Sequence, residues 1–173
     1  MFGHSAGGLT AAEAMLADDR IDAGVDLDGT LAYHAGDEEW AESTLRGTDR
    51  PFLIFGGGVS GTDEHPHTSE HSRDWRMFRD ASTGEVLEIY LAEGSTWASS
   101  TPSGTSRRSR PGWSGGPTWR DSVEDSIGTV DPERSVAAQR AYLTAFFDEH
   151  LRGEEQPLLD GPSPDHPDVA FID

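Results

Sequence analysis

The sequence predicts an α/β fold in which a mostly parallel sheet is flanked by helices. Residues 51–55 form a continuous apolar run of strand-favouring residues, as expected for a parallel strand covered on both faces. Residues 23–27 are predicted to form a second, short buried strand, and residues 7–17 carry apolar side chains spaced for one face of a helix. Residues 131–133, Asp-Pro-Glu, supply an N-cap, a first-turn proline and an early acid, so a long helix is predicted to begin there.

Length and composition limit the size and the class of the protein. With 173 residues the chain has room for one domain with a sizeable core, and we expect residues 1–173 to form a single domain. A formal charge of −19 argues against nucleic acid and anionic membranes as partners. There is no cysteine, no signal-like segment and no apolar run near the roughly 18 residues of a membrane span. The localisation is therefore left open.

The N-terminal residues carry the strongest functional signal. Gly3-His4-Ser5-Ala6-Gly7 reads G-x-S-x-G, the pattern of a nucleophile elbow, in which a serine lies on a tight turn between a strand and a helix. We expect the residues two before and two after the serine to be small, so that the helix passes close to the strand. The Ala6 N–H would form half of an oxyanion hole. This pattern favours acyl transfer with Ser5 as nucleophile; the competing interpretation is a chance glycine-serine turn.

The second candidate is a carboxylate that follows the predicted strand at residues 23–27. Asp28 comes at the C-terminal end of that strand, where open α/β sheets keep their chemistry. A carboxylate there could orient a histidine and stabilise its imidazolium. On spacing alone, a role in a turn or a helix cap is equally well supported for Asp28.

The run from Gly3 to Gly8, with the strand ending in Leu27-Asp28, resembles the α/β-hydrolases. It is most similar to the bacterial lipases and platelet-activating-factor acetylhydrolase-like serine esterases, and the similarity extends to residues 50–56 and 127–171. The resemblance implies a serine esterase that cleaves small-molecule or lipid carboxylic esters through an acyl-enzyme. It also implies that Asp28 is the triad acid. Asp63 is the alternative acid, because the acid follows the later strand in many other α/β-hydrolases.

The resemblance further implies that the strands preceding the elbow are missing, so that the chain is the C-terminal half of a hydrolase. Without those strands, we expect the elbow strand to keep an unpaired, apolar edge, which is a route to self-association. A non-catalytic, truncated or frame-shifted fragment is therefore the competing hypothesis from a different class.

The general base is the member of the triad that the sequence leaves open. In the resembled family a histidine follows the strand predicted here at residues 85–92, but this chain has no histidine there. His65, His67 and His71 are the alternative bases. With nearby acids the same histidines could form a metal-binding module, but their position in a loop argues against a fixed coordination geometry. We expect no metal and no cofactor.

Residues 94–120 differ in composition from the rest of the chain. They contain no acidic residue, although the whole chain has 32, and they hold four arginines and seven serines without a usable periodicity. We interpret this segment as disordered or as translated from a shifted reading frame. A neighbouring frame, written with permissible codons, contains a histidine followed by apolar residues. We expect residues 154–173 to be an extended surface segment.

Overall fold

The fold is built around a sheet of five strands, in a computed structural model that describes residues 1–34, 39–60, 65–91 and 132–173. The expectations for Asp63 and for residues 94–120 lie outside the described residues. The strands are β1 (Phe2–His4), β2 (Gly24–Leu27), β3 (Ala32–His34), β4 (Glu39–Trp40), β5 (Phe52–Gly57), β6 (Val59–Ser60), β7 (His65–Pro66), β8 (Val86–Leu91) and β9 (Val169–Phe171). The helices are α1 (Ala6–Ala17), α2 (Glu42–Arg46), α3 (Arg73–Ala81) and α4 (Pro132–Arg152), and a 3₁₀ turn spans Pro157–Leu159.

The main sheet has the strand order β1-β2-β5-β8-β9. The first four of these strands run parallel, and β9 pairs antiparallel with β8. The predicted α/β class with a mostly parallel sheet is therefore confirmed. Because parallel strands point the same way, the C-terminal ends of β1, β2 and β5 meet at one edge of the sheet, where residues 5, 28 and 58 leave it.

Each face of the sheet is covered by helices. On one face, strand residues such as Val25 and Phe55 pack against Tyr142 and Phe146 of α4. On the other face, Phe52 and Ile54 pack with Met15 of α1 and with Trp75 and Phe78 of α3. Fully burying one side chain of this size contributes about 1.5–3 kcal/mol relative to leaving it exposed. The spacing of Trp75 and Phe78, three residues apart in a helix predicted at residues 72–79, predicts that both are packing residues. This is confirmed, since both are 0% exposed.

Two sequence-based expectations about secondary structure are wrong. Residues 154–173 were expected to be extended on the surface, but Val169–Phe171 adds a strand to the sheet and buries Val169. Strand pairing satisfies backbone groups on the free edge of β8, and a three-residue strand has too short a pattern to detect. The polar residues 37–40 also predict a short surface helix. Residues 37 and 38 lie outside the described residues, but Glu39–Trp40 is a strand, and a helix follows at Glu42–Arg46.

In the part of the chain that the structure describes, none of the helices has the length and apolar character needed to cross a bilayer.

Candidate active site

Ser5 forms the turn that joins β1 to α1, and its backbone is held in an unusual conformation. Its φ and ψ are 55° and −125°, outside the regions that residues with a side chain prefer. The Ser5 N–H donates to the Leu27 carbonyl oxygen (3.0 Å), and the Ser5 carbonyl accepts from the Gly8 N–H (2.8 Å). Surrounding hydrogen bonds therefore hold the turn in place, as a strained functional turn requires. The arrangement is that of a strand, a tight turn and a helix, as the G-x-S-x-G pattern predicts.

The close approach of helix to strand depends on Gly3 rather than on Gly7. A Cβ added at Gly3 would lie 2.3 Å from the carbonyl carbon and oxygen of Gly7, which is an impossible contact. A Cβ added at Gly7 would meet nothing within 4 Å. The expected steric requirement is therefore present at Gly3, and the expectation for Gly7 is wrong because its missing side chain would point into open space.

This difference predicts opposite effects of two alanine substitutions. Gly3→Ala should lower the free energy of unfolding by about 1–3 kcal/mol, because the helix must move away from the strand to admit a methyl group. The matched control Gly7→Ala should raise it by about 0.5–1 kcal/mol, because alanine loses less conformational entropy than glycine in a helix. Urea unfolding of the two variants measures both changes, and equal destabilisation by the two would contradict the prediction.

Asp28 lies beside this turn at the C-terminal end of β2, and its backbone is also strained. Among the described residues other than glycine, only Ser5 and Asp28 have positive φ, 55° and 54° respectively. The Asp28 N–H donates to the Phe55 carbonyl oxygen (3.0 Å), and its Oδ1 accepts from the Gly57 N–H (3.2 Å). Strained conformations of this kind cluster at functional sites. The carboxylate is thus fixed at the edge of the sheet where Ser5 lies.

His67 is the histidine that the structure brings to Asp28. Its Nδ1 lies 2.6 Å from Asp28 Oδ1, and the two side chains are 9% and 12% exposed. The His67 ring stacks on Trp75, with ring centroids 3.9 Å apart and an angle of 24° between the planes. His67 belongs to the loop between β7 and α3, so this contact joins residues 39 positions apart in the sequence.

The three candidate histidines do not act as one cluster. His65 and His71 stack on each other with ring centroids 4.7 Å apart, while His67 contacts Asp28 and Trp75. Within residues 1–34, 39–60, 65–91 and 132–173, no group of three His, Cys, Asp or Glu side chains is placed to hold a metal ion. The described geometry therefore separates the candidate base from the other two histidines.

An apolar pocket of about 310 Å³ borders Asp28 on the side of the sheet that α4 covers. Gly56 and Gly57 line it, and its apolar side chains are those of Phe2, Leu27, Phe55, Leu91 and Leu143. The polar side chains of the lining are His4, Asp28 and Gln139. A mostly apolar pocket with a few polar groups is the usual form of a small-molecule site.

Comparisons with known proteins bear on the fold and on the type of reaction. No protein-family model matches the chain. A probable 1-alkyl-2-acetylglycerophosphocholine esterase of Arthroderma benhamiae is 27% identical over 181 residues, which cover all of this chain and 43% of that protein. The solved structure of a ferulic acid esterase from Streptomyces cinnamoneus superposes with a TM-score of 0.70 and 30% identity, over 99% of this chain and 46% of that one. The resemblance to the α/β-hydrolase esterases is confirmed. This chain spans less than half the length of either relative.

One residue behind the elbow of this α/β-hydrolase fold was not singled out from the sequence. Asp26 is 0% exposed, its Oδ1 accepts from the Gly29 N–H (2.9 Å), and its Oδ2 has no hydrogen-bond partner among the described residues. Burial, reinforced by the charges of Asp28 and Asp74, raises the pKa of Asp26 well above its usual range. The alternation of side chains along β2 could have predicted the burial of Asp26. Val25 and Leu27 face α4, so Asp26 must face the helices on the opposite side of the sheet.

This buried acid predicts a dependence of stability on pH. The folded state keeps Asp26 protonated above the pKa of about 3.9 that an aspartate has in an unfolded chain. Stability is therefore lost as pH rises from that value towards the raised pKa, by up to about 1.4 kcal/mol per pH unit. Asp26→Asn cannot ionise and should be more stable than the parent chain at pH 7, with the difference shrinking towards pH 4. Urea unfolding at several pH values checks this, and parallel pH profiles would contradict it.

Proposed function

We propose that this chain carries the catalytic residues of a serine hydrolase that cleaves carboxylic esters through an acyl-enzyme. In this proposal Ser5 is the nucleophile, His67 the general base, Asp28 the acid, and the Ala6 N–H one donor of the oxyanion hole. The observation that carries the proposal is the 2.6 Å contact between His67 Nδ1 and Asp28 Oδ1, one strand away from the strained turn at Ser5. The order Ser, Asp, His along the chain is that of α/β-hydrolases.

The proposed chemistry follows from the contact between His67 Nδ1 and the Asp28 carboxylate. A carboxylate bonded to Nδ1–H keeps the imidazole in the tautomer whose Nε2 accepts a proton. The base takes the proton of the Ser5 hydroxyl as Oγ attacks the ester carbonyl, and then gives it to the leaving alcohol as the acyl-enzyme forms. A water molecule, activated by the same base, hydrolyses the acyl-enzyme. The Ala6 N–H, in the first turn of α1, would donate to the oxyanion, with the positive end of the helix beneath it.

The substrate class that fits this site is an ester with a small or lipid-like apolar part. The pocket beside Asp28 has an apolar lining, and a formal charge of −19 disfavours polyanionic substrates. Both relatives are named as esterases, one of a 1-alkyl-2-acetylglycerophosphocholine and one of ferulic acid.

Self-association through the edge of β1, where Phe2 is 59% exposed, is a separate proposal. Sedimentation velocity over a range of concentrations tests it.

Labelling with a fluorophosphonate tests the proposed function directly. The purified chain is incubated with the reagent, and peptide mass spectrometry locates the adduct, with Ser5→Ala as control. We expect stoichiometric label on Ser5 and none in the control, because only a serine with an assembled base reacts at an appreciable rate. A chain that melts cooperatively and takes no label would overturn the proposal and favour the non-catalytic fragment.

A further inference from the structure

Trp75 of α3 lies at the junction between the two partners of the Asp28–His67 pair. Its indole Nε1–H donates to the Gly29 carbonyl oxygen (2.7 Å), and its ring stacks on the His67 imidazole at 3.9 Å. Trp75 is 0% exposed, so neither interaction competes with water. Trp75 therefore contacts both Gly29, which follows Asp28, and His67, which binds Asp28.

Hydrogen bonds to both the N–H and the carbonyl of Gly29 hold the turn that carries Asp28. Asp26 Oδ1 accepts from the Gly29 N–H (2.9 Å), and Trp75 holds the Gly29 carbonyl. The turn also lies directly on the elbow, since a Cβ added at Gly29 would come within 2.3 Å of the Ser5 carbonyl oxygen. Because Asp28 has a φ of 54°, its turn needs outside contacts to persist. Asp26 and Trp75 provide two of them.

We propose that Trp75 is a positioning residue that keeps Asp28 and His67 paired before substrate binds. This inference rests on the proposed function, because a fixed pair matters only if His67 is the base. Trp75 acts through Gly29 and through the His67 ring, and it supplies no proton and contacts no reacting atom. The indole suits both tasks because it joins a flat face for the imidazole to an N–H that reaches the carbonyl.

The substitution Trp75→Phe separates these two tasks. Phenylalanine keeps an aromatic ring in the buried position and removes the N–H that holds Gly29. We expect kcat to fall by about 10- to 100-fold, with KM changed less than about three-fold, because a loss of alignment affects the reaction more than the binding of substrate. The matched control is Phe78→Leu, at an equally buried position of α3 that packs on Phe52 with ring centroids 4.8 Å apart. It should lower stability and leave kcat unchanged.

Proton NMR gives a readout that needs no activity. In the unmodified chain, the His67 ring protons should be shifted upfield by the stacked indole. The imidazole N–H bonded to Asp28 should give a protected downfield resonance, assigned by its absence in His67→Gln. We expect that resonance to persist in Phe78→Leu and to be lost to solvent exchange in Trp75→Phe.

The NMR signals and the activity measurements distinguish a failure of the proposed function from a failure of the inference about Trp75. A chain with both NMR signals but no fluorophosphonate label would overturn the proposed function and leave the structural role of Trp75 standing. A Trp75→Phe variant with normal kcat and the downfield resonance intact would overturn the inference. If the variant does not fold, the unmodified chain decides, because unshifted His67 ring protons would mean that the stacked arrangement does not form.

Discussion

Replacing His67 with glutamine should abolish the reaction of Ser5 with a fluorophosphonate. It should also lower kcat by about 10⁴- to 10⁶-fold. Glutamine has similar reach, but it cannot take the proton of the serine hydroxyl. In enzymes of this type, the loss of the base alone costs nearly as much as the loss of all three triad members. The measurement is the rate of ester hydrolysis, together with the extent of label on Ser5.

His65 and His71 provide matched controls for this substitution. Both are exposed histidines close to His67 in sequence, and they stack on each other at 4.7 Å. His65→Gln and His71→Gln should each keep kcat within about three-fold of the parent chain, as surface substitutions commonly do. Retained label in His67→Gln, or label lost in His71→Gln, would place the base elsewhere.

The second large effect is expected at Asp28. Asp28→Asn should lower kcat by about 10⁴-fold, since an amide next to Nδ1 no longer enforces the tautomer that leaves Nε2 as the acceptor. The fold should survive, because the asparagine oxygen can still accept from the Gly57 N–H that Asp28 Oδ1 now accepts at 3.2 Å. Steady-state kinetics on ester substrates and thermal unfolding measure the two properties separately.

A charge control excludes a general electrostatic cause for this loss. Asp22 is exposed and precedes the same strand, so Asp22→Asn removes one negative charge from this region without touching the Asp28–His67 pair. We expect it to leave kcat unchanged. An Asp28→Asn variant whose kcat stays within about ten-fold of the parent chain would contradict the assignment of Asp28 as the acid.

Local patterns in the sequence were sufficient for the elbow and for most of the framework. The strained turn at Ser5 depends on contiguous small residues, and the apolar run at residues 51–55 depends on burial of both faces of one strand. The helix after residue 131 depends on its own first-turn residues and apolar spacing, and it ends at Arg152, before Gly153, which has a φ of 69°. These features are encoded within short segments, so one sequence is enough to predict them.

Distant packing decided the remaining parts of the site. The sequence left three histidines as equal candidates, because a loop carries no periodic signal for the direction of a side chain. The packing of α3 on the sheet puts Trp75 under His67 and brings His67 to Asp28. The raised pKa of Asp26 likewise needs the layer of helices that removes its carboxyl group from water.

The sequence by itself determined the nucleophile turn, the α/β class and the position of Asp28 at a strand end. Only the tertiary structure decided which histidine pairs with Asp28, because that contact depends on segments far apart in the chain packing on the same sheet.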